Sequence, residues 1–143
     1  MKKILIVFVA LAGVYFAVEQ SPQTVHRSQT SQATIGELDK AIAERRSGRQ
    51  VQGTGTVRRI LSDDNDGSRH QRFIVELESG RTLLVAHNID VASRVSGLTP
   101  GDSVSFFGEY EWNDRGGIIH WTHHDPRAQH VDGWIDHDGK RYK

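Results

Sequence analysis

Between Gly116 and Trp134 the chain reads GGIIHWTHHDPRAQHVDGW, which holds four of its eight histidines, two of its three tryptophans and two aspartates. Imidazole is the commonest side-chain ligand for zinc and related ions, and carboxylates suit the same ions. Strand geometry limits which of these residues can cooperate. On an extended strand His120, Thr122 and His124 face one way and Trp121 and His123 the other, and His120 and His124 stand about 13 Å apart at about 3.3 Å per residue. One ion with ligand bonds of about 2 Å cannot span that gap. The set best able to gather lies where Asp125-Pro126 stops the strand. It comprises His124, Asp125 and His130, with a divalent metal such as zinc as the cofactor it would hold.

The same residue types suit hydrolysis of a phosphodiester, with histidine moving the proton and arginine steadying the phosphate. His70, His87, His124 and Asp125 are the acid–base candidates, and Arg69, Arg72, Asn88 and Trp121 the candidates for gripping a ligand. Both readings require His70, His87, His124 and Asp125 to meet in one cleft. Plainer readings compete residue by residue. His124 and His130 can be solvated partners of the C-terminal segment, Arg72 can pair with Glu76 along a strand, and His87 can cap the connector that follows it. A non-catalytic module is the alternative at the level of the whole protein. It would bind a glycan, a protein or a nucleic acid through Arg58, Arg72, Arg81 and Trp112 or Trp121.

Charge argues against a dedicated nucleic-acid binder. The chain balances 18 basic against 18 acidic residues, and loss of Lys2 and Lys3 leaves 16 against 18 if Glu19 stays. A protein that grips phosphate backbones is usually net basic. Cysteine is absent, so neither a disulfide framework nor a lipidated cysteine anchor is available.

The elements that must position these residues begin after residue 33. Residues 1–20 place Lys2 and Lys3 before an apolar run from Ile4 to Val18, the layout of an export signal or an uncleaved N-terminal anchor. Contact with a membrane is expected only through that segment. Residues 21–33 are polar and aperiodic, a linker in which His26 is solvated. The domain then spans 34–143. It opens on a short helix with Thr34 and Glu37 as a capping box, Ile35, Leu38 and Ile42 on one face, and Gly48 closing the end.

From Arg49 the period is two. RQVQGTGTVRRIL reads as a long first strand that Gly53 and Gly55 allow to bend, and SDDNDGSR as a turn. In HQRFIVELESG, Phe73, Val75 and Leu77 share a face, and in RTLLVAHN so do Leu83, Val85 and His87. IDVASRVSGL has room for two helical turns. DSVSFFGEYEW points Val104, Phe106, Gly108, Tyr110 and Trp112 inward, and GIIHWTHH is the fifth strand. Three strands, a short connection and two more strands is the order of a five-stranded OB-like barrel, with an SH3-type barrel as rival. GWIDHDGKRYK adds a C-terminal hairpin turning at Asp138-Gly139, expected against the end of the fifth strand.

The stretches GSRHQRF, LLVAHNID, GEYEWN, GGIIHWTHHDP and HVDGWI resemble a family of small secreted bacterial proteins of unknown function marked by a His-Trp-Thr-His motif, here His120–His123. The resemblance runs from about Gly53 to Tyr142 and implies no activity or site assignment. Two other patterns carry nothing. Aligning Gly67 of DDNDG with the glycine of a calcium loop puts Ser62 at the first ligand and Phe73 where a glutamate belongs. The glycines of GTGT are not followed by a phosphate-loop pattern.

Overall fold

A computed structural model describes residues 36–143. The N-terminal segment (1–20), the linker (21–33) with His26, and the Thr34 cap with Ile35 lie outside the described residues. One helix, α1 (36–43), precedes seven strands. They are β1 (Arg49–Ile60), β2 (His70–Leu77), β3 (Thr82–Asn88), β4 (Ser103–Glu111), β5 (Ile118–His120), β6 (Trp134–His137) and β7 (Lys140–Tyr142). Among the described residues no helix is long and apolar enough to cross a membrane.

The long first strand closes the barrel by serving two partners. Its first part pairs with β4, from Arg49↔Tyr110 to Thr56↔Ser103, and its second part pairs with β2, from Gly55↔Leu77 to Ile60↔Phe73. β2 and β3 are antiparallel, β3 and β5 run parallel, and β5 returns antiparallel to β4. This ring, β1-β2-β3-β5-β4-β1, has the OB connectivity, and its parallel β3–β5 pair rules out the all-antiparallel alternative. Alternation sends Val51, Val57, Phe73, Val75, Val85, Phe106, Tyr110 and Ile119 into a core where each is fully buried. Leu38, Ala41 and Ile42 of α1 join it. The helix lies directly on β1 because Gly53 has no side chain. A Cβ there would stand 2.5 Å from the Phe106 ring and 2.8 Å from a Leu38 methyl.

Five expectations are corrected by the fold. The helix closes at Arg45, whose φ is 55°, with Arg46 N–H reaching back to Ala41 O, so Gly48 comes too late to cap it. Gly48 instead leads into β1 and donates to Tyr110 O. The connector after β3 forms turns and no helix. Barrel side chains satisfy its backbone in place of a helical ladder: Gln71 Nε2 donates to Val95 O at 3.0 Å, and Val95 N–H donates to Gln71 Oε1 at 2.8 Å. Trp112 lies past the end of β4, where its backbone N–H donates to Ser47 Oγ, and its side chain is not inward, leaving the residue 38 % exposed.

The fifth strand ends at His120, because Trp121 adopts a left-handed φ of 53°. Alternation is lost at that residue, and Thr122 turns into the core while His120 stays on the outer wall. The C-terminal hairpin forms as expected, with positive φ at both Asp138 and Gly139, the signature of a tight two-residue turn. It docks on β4, Val104↔His137 to Phe107↔Trp134, and not on the fifth strand. The shortness of β5 is the reason. It covers only Glu109–Glu111 of β4 and leaves the rest of that edge to β6.

Candidate functional site

Register lays a row of outward side chains across the barrel wall. Gln50 of β1 pairs with Glu109 of β4, Glu109 with His120 of β5, and Arg72 of β2 with Ala86 of β3. In the next row Glu111 faces Ile118, and Ile118 faces Leu84. The turn before β5 sets this register. Asn113 Oδ1 accepts from the N–H groups of Arg115 at 2.9 Å and Gly117 at 3.0 Å. Glu109 and Glu111, two apart on one strand, therefore share a face, and His120 is delivered beside them.

His120 Nε2 is 3.6 Å from Glu109 Oε1 and 4.0 Å from Glu111 Oε1, and it is buried without a hydrogen-bond partner. Among the described residues these three form the group whose ligand atoms all lie within 4.8 Å of one another. Zinc ligands about 2 Å from the ion stand roughly 3.3 Å apart in a tetrahedron, so only small side-chain movements separate this arrangement from coordination. Burial holds the His120 pKa below its ordinary value, against the opposing charges of Glu109 and Glu111. A neutral ring with a free nitrogen is what a metal needs.

His130 contacts the cluster from the loop that follows. Its Nε2 is 2.6 Å from Glu109 Oε2, and its Nδ1 is 2.8 Å from Val131 O. Burial works against a charge on His130, but the hydrogen bond and the charge of Glu109 outweigh it and raise the pKa. The ring stacks on Trp121, centroids 4.1 Å apart and planes 9° from parallel. The left-handed Trp121, uncommon for any residue but glycine, is thus what brings a flat face under His130.

Asp125 organises that loop and does not face a ligand with its carboxylate. Oδ1 accepts from Arg127 N–H, and Oδ2 accepts from Gln129 and His130 N–H at 2.7 and 2.8 Å. These bonds, the Arg127 one first, hold its pKa below the usual carboxylate range. His124 is turned outward, 2.6 Å from Asp132 Oδ2. His124, Asp125 and His130 therefore do not gather as one ligand set: the His124 ring is held by Asp132, the His130 ring by Glu109, and the Asp125 carboxylate by backbone N–H groups of its own loop.

The expected meeting of His70, His87, His124 and Asp125 does not occur. His70 and His87 occupy opposite faces, one on β2's outer side and the other fully buried in the core. His87 Nε2 donates to Ser93 O at 3.1 Å and Nδ1 accepts from Thr122 Oγ1 at 2.9 Å. Its pKa is pushed down to about 4, chiefly by burial. Arg69 is tied to Asp90, and its backbone N–H donates to the same carboxylate. His70, Asn88, Trp121, Asp125 and His130 do line one cleft, of about 770 Å³, together with His120. Arg72 lines an adjoining hollow of about 380 Å³, and His70 and His120 border both.

Glu109 and Glu111 are not among the residues that composition singles out, and His120 is weighed only as a partner of His124. Their signal was nevertheless present, as Glu-x-Glu on one strand and a histidine across a short hairpin. Residues 23–143 match the family described as Protein of unknown function (DUF3465). No curated protein matches the chain.

Proposed function

Because the chain belongs to this DUF3465 family of unknown function, we propose its role from its own geometry: it binds a divalent first-row metal ion through Glu109, Glu111 and His120. The observation that carries this reading is the buried, unpartnered Nε2 of His120 facing two carboxylates at 3.6 and 4.0 Å. An imidazole with two carboxylates favours zinc and its neighbours over magnesium or calcium, which prefer all-oxygen sets. A surface that binds only by stacking and charge has less support. Arg58 is held by Glu76 at 2.7 Å, Trp112 lies under Arg45, and Trp121 lies under His130.

Zinc titration of chelator-treated full-length protein, followed by calorimetry, is expected to show one saturable site. His120→Gln and Glu109→Gln should each weaken it about 100-fold or more, since binding energies of about 10–16 kcal/mol are shared among three protein ligands. Heat changes that do not saturate, or affinities unmoved in both variants, would refute the site.

The proposal places the domain on the exported side of a membrane. Lys2 and Lys3 ahead of the Ile4–Val18 run support it. Alkaline phosphatase joined after residue 33 is expected to be active in bacterial cells, and an inactive but abundant fusion would contradict export.

A further inference from the structure

The geometry points to a phosphodiester as substrate, hydrolysed in the hollow between the metal cluster and β2; this rests on the metal reading above. The hollow has two unlike walls. His120 and Glu111 form one, and His70, Arg72 and Asp64 form the other, over an apolar floor that includes Leu84 and Ala86. Ala86 leaves the space open, because it is the small member of the row between Arg72 and the cluster.

Arg72 is held in place by its Nε, which donates to Ser62 O at 3.0 Å, while Asp64 stays 4.0 Å from Nη1. Its terminal nitrogens are therefore positioned without being saturated, as recognition of a non-bridging phosphate oxygen requires. His70 Nδ1 lies 2.7 Å from Ser68 O, and a carbonyl only accepts, so this nitrogen carries the proton. The Nε2 lone pair is left for a reacting group in the space His70 shares with His120.

These parts account for each atom of the reaction. A water oxygen forms the new bond to phosphorus in line with the departing ester oxygen. The bond from phosphorus to that oxygen breaks, and the oxygen keeps the electron pair. One water proton passes to His70 Nε2 and from there to solvent, while the departing alkoxide on the opposite side of phosphorus takes a proton from solvent, giving an alcohol and a phosphate monoester. Arg72 holds a non-bridging oxygen, and a divalent cation held by Glu109, Glu111 and His120 would supply Lewis-acid stabilisation of the developing charge. The apolar floor suits the second ester substituent, which a monoester lacks.

The test uses the full chain loaded with one equivalent of zinc or manganese and bis(p-nitrophenyl) phosphate as probe. Hydrolysis is expected, reduced about 100-fold or more in Arg72→Met and in His70→Ala. Zinc titration should be unchanged in both variants. Added imidazole should restore activity to His70→Ala, which a merely structural histidine would not permit. Normal metal binding without diester hydrolysis would overturn the substrate assignment and leave the metal site standing. Hydrolysis of p-nitrophenyl phosphate alone would overturn it too. Failure to bind metal would overturn both readings, and the titration reveals that case separately.

Discussion

Gly133→Ala is expected to lower the melting temperature by about 10 °C or more, the shift that about 3 kcal/mol produces in a domain of this size. A Cβ on Gly133 would stand 1.9 Å from Trp121 O, 2.5 Å from Phe107 O and 2.8 Å from Thr122 Cα. All three are backbone atoms, which cannot rotate aside as a side chain can. The contact lies where the loop after Asp125 passes beneath the kink at Trp121, and Gly133 N–H donates to His123 O at 2.8 Å. Forcing this approach open also separates His130 from Trp121, so the near-ultraviolet circular dichroism of the remaining folded protein should weaken. Gly36→Ala is the control. It lies in α1 with nothing within 4 Å of its added Cβ, and alanine is the better helix former. Melting of Gly133→Ala within a degree or two of the parent would show that this contact does not hold the site together.

Stability is expected to fall by about 3 kcal/mol between roughly pH 6.5 and 4 because of His87 alone. The folded pKa is about 4, pushed down by burial from an ordinary value of 6.5. Between those values the unfolded chain binds a proton that the folded chain refuses, so stability is present above 6.5 and is lost as pH falls. Below about 4 both states are protonated and this contribution stops changing. Asp102, Asp125 and Asp132, whose pKa values are also lowered, add losses of the same sign at still lower pH. The comparison is therefore with His87→Gln, measured by urea unfolding from pH 7 to 4. The parent should lose about 3 kcal/mol more than the variant. Equal slopes would mean that His87 does not report the cost of placing a charge in this core.

Legibility in the sequence followed the range of the interactions. The strands, the glycines of β1 and the Asp138-Gly139 turn could be read, since side-chain alternation and turn chemistry act over a few residues. Leu83, Val85 and His87 shared a face in sequence and share the core in the structure. The connector could not be read, because Gln71, 24 residues from Val95, takes up backbone groups that a helix would have used. Trp112 misled for a related reason: the alternation continued past the point where the ladder stops.

The site divides along the same line. Residue types and spacing alone determined a five-stranded barrel, an apolar inner set and a polar strand end rich in histidine. Glu109 and Glu111 stood on one strand with His120 a hairpin away, but nothing local set that group apart from the histidine-rich strand end. Tertiary structure decided which histidines act together. The φ of one residue, Trp121, ends β5, sends Thr122 inward to His87 and brings His130 over to Glu109. Alternation is a local rule, and a single left-handed residue resets it. Such a conformation is held only by what packs against it, here the His130 ring and the side-chain-free backbone of Gly133.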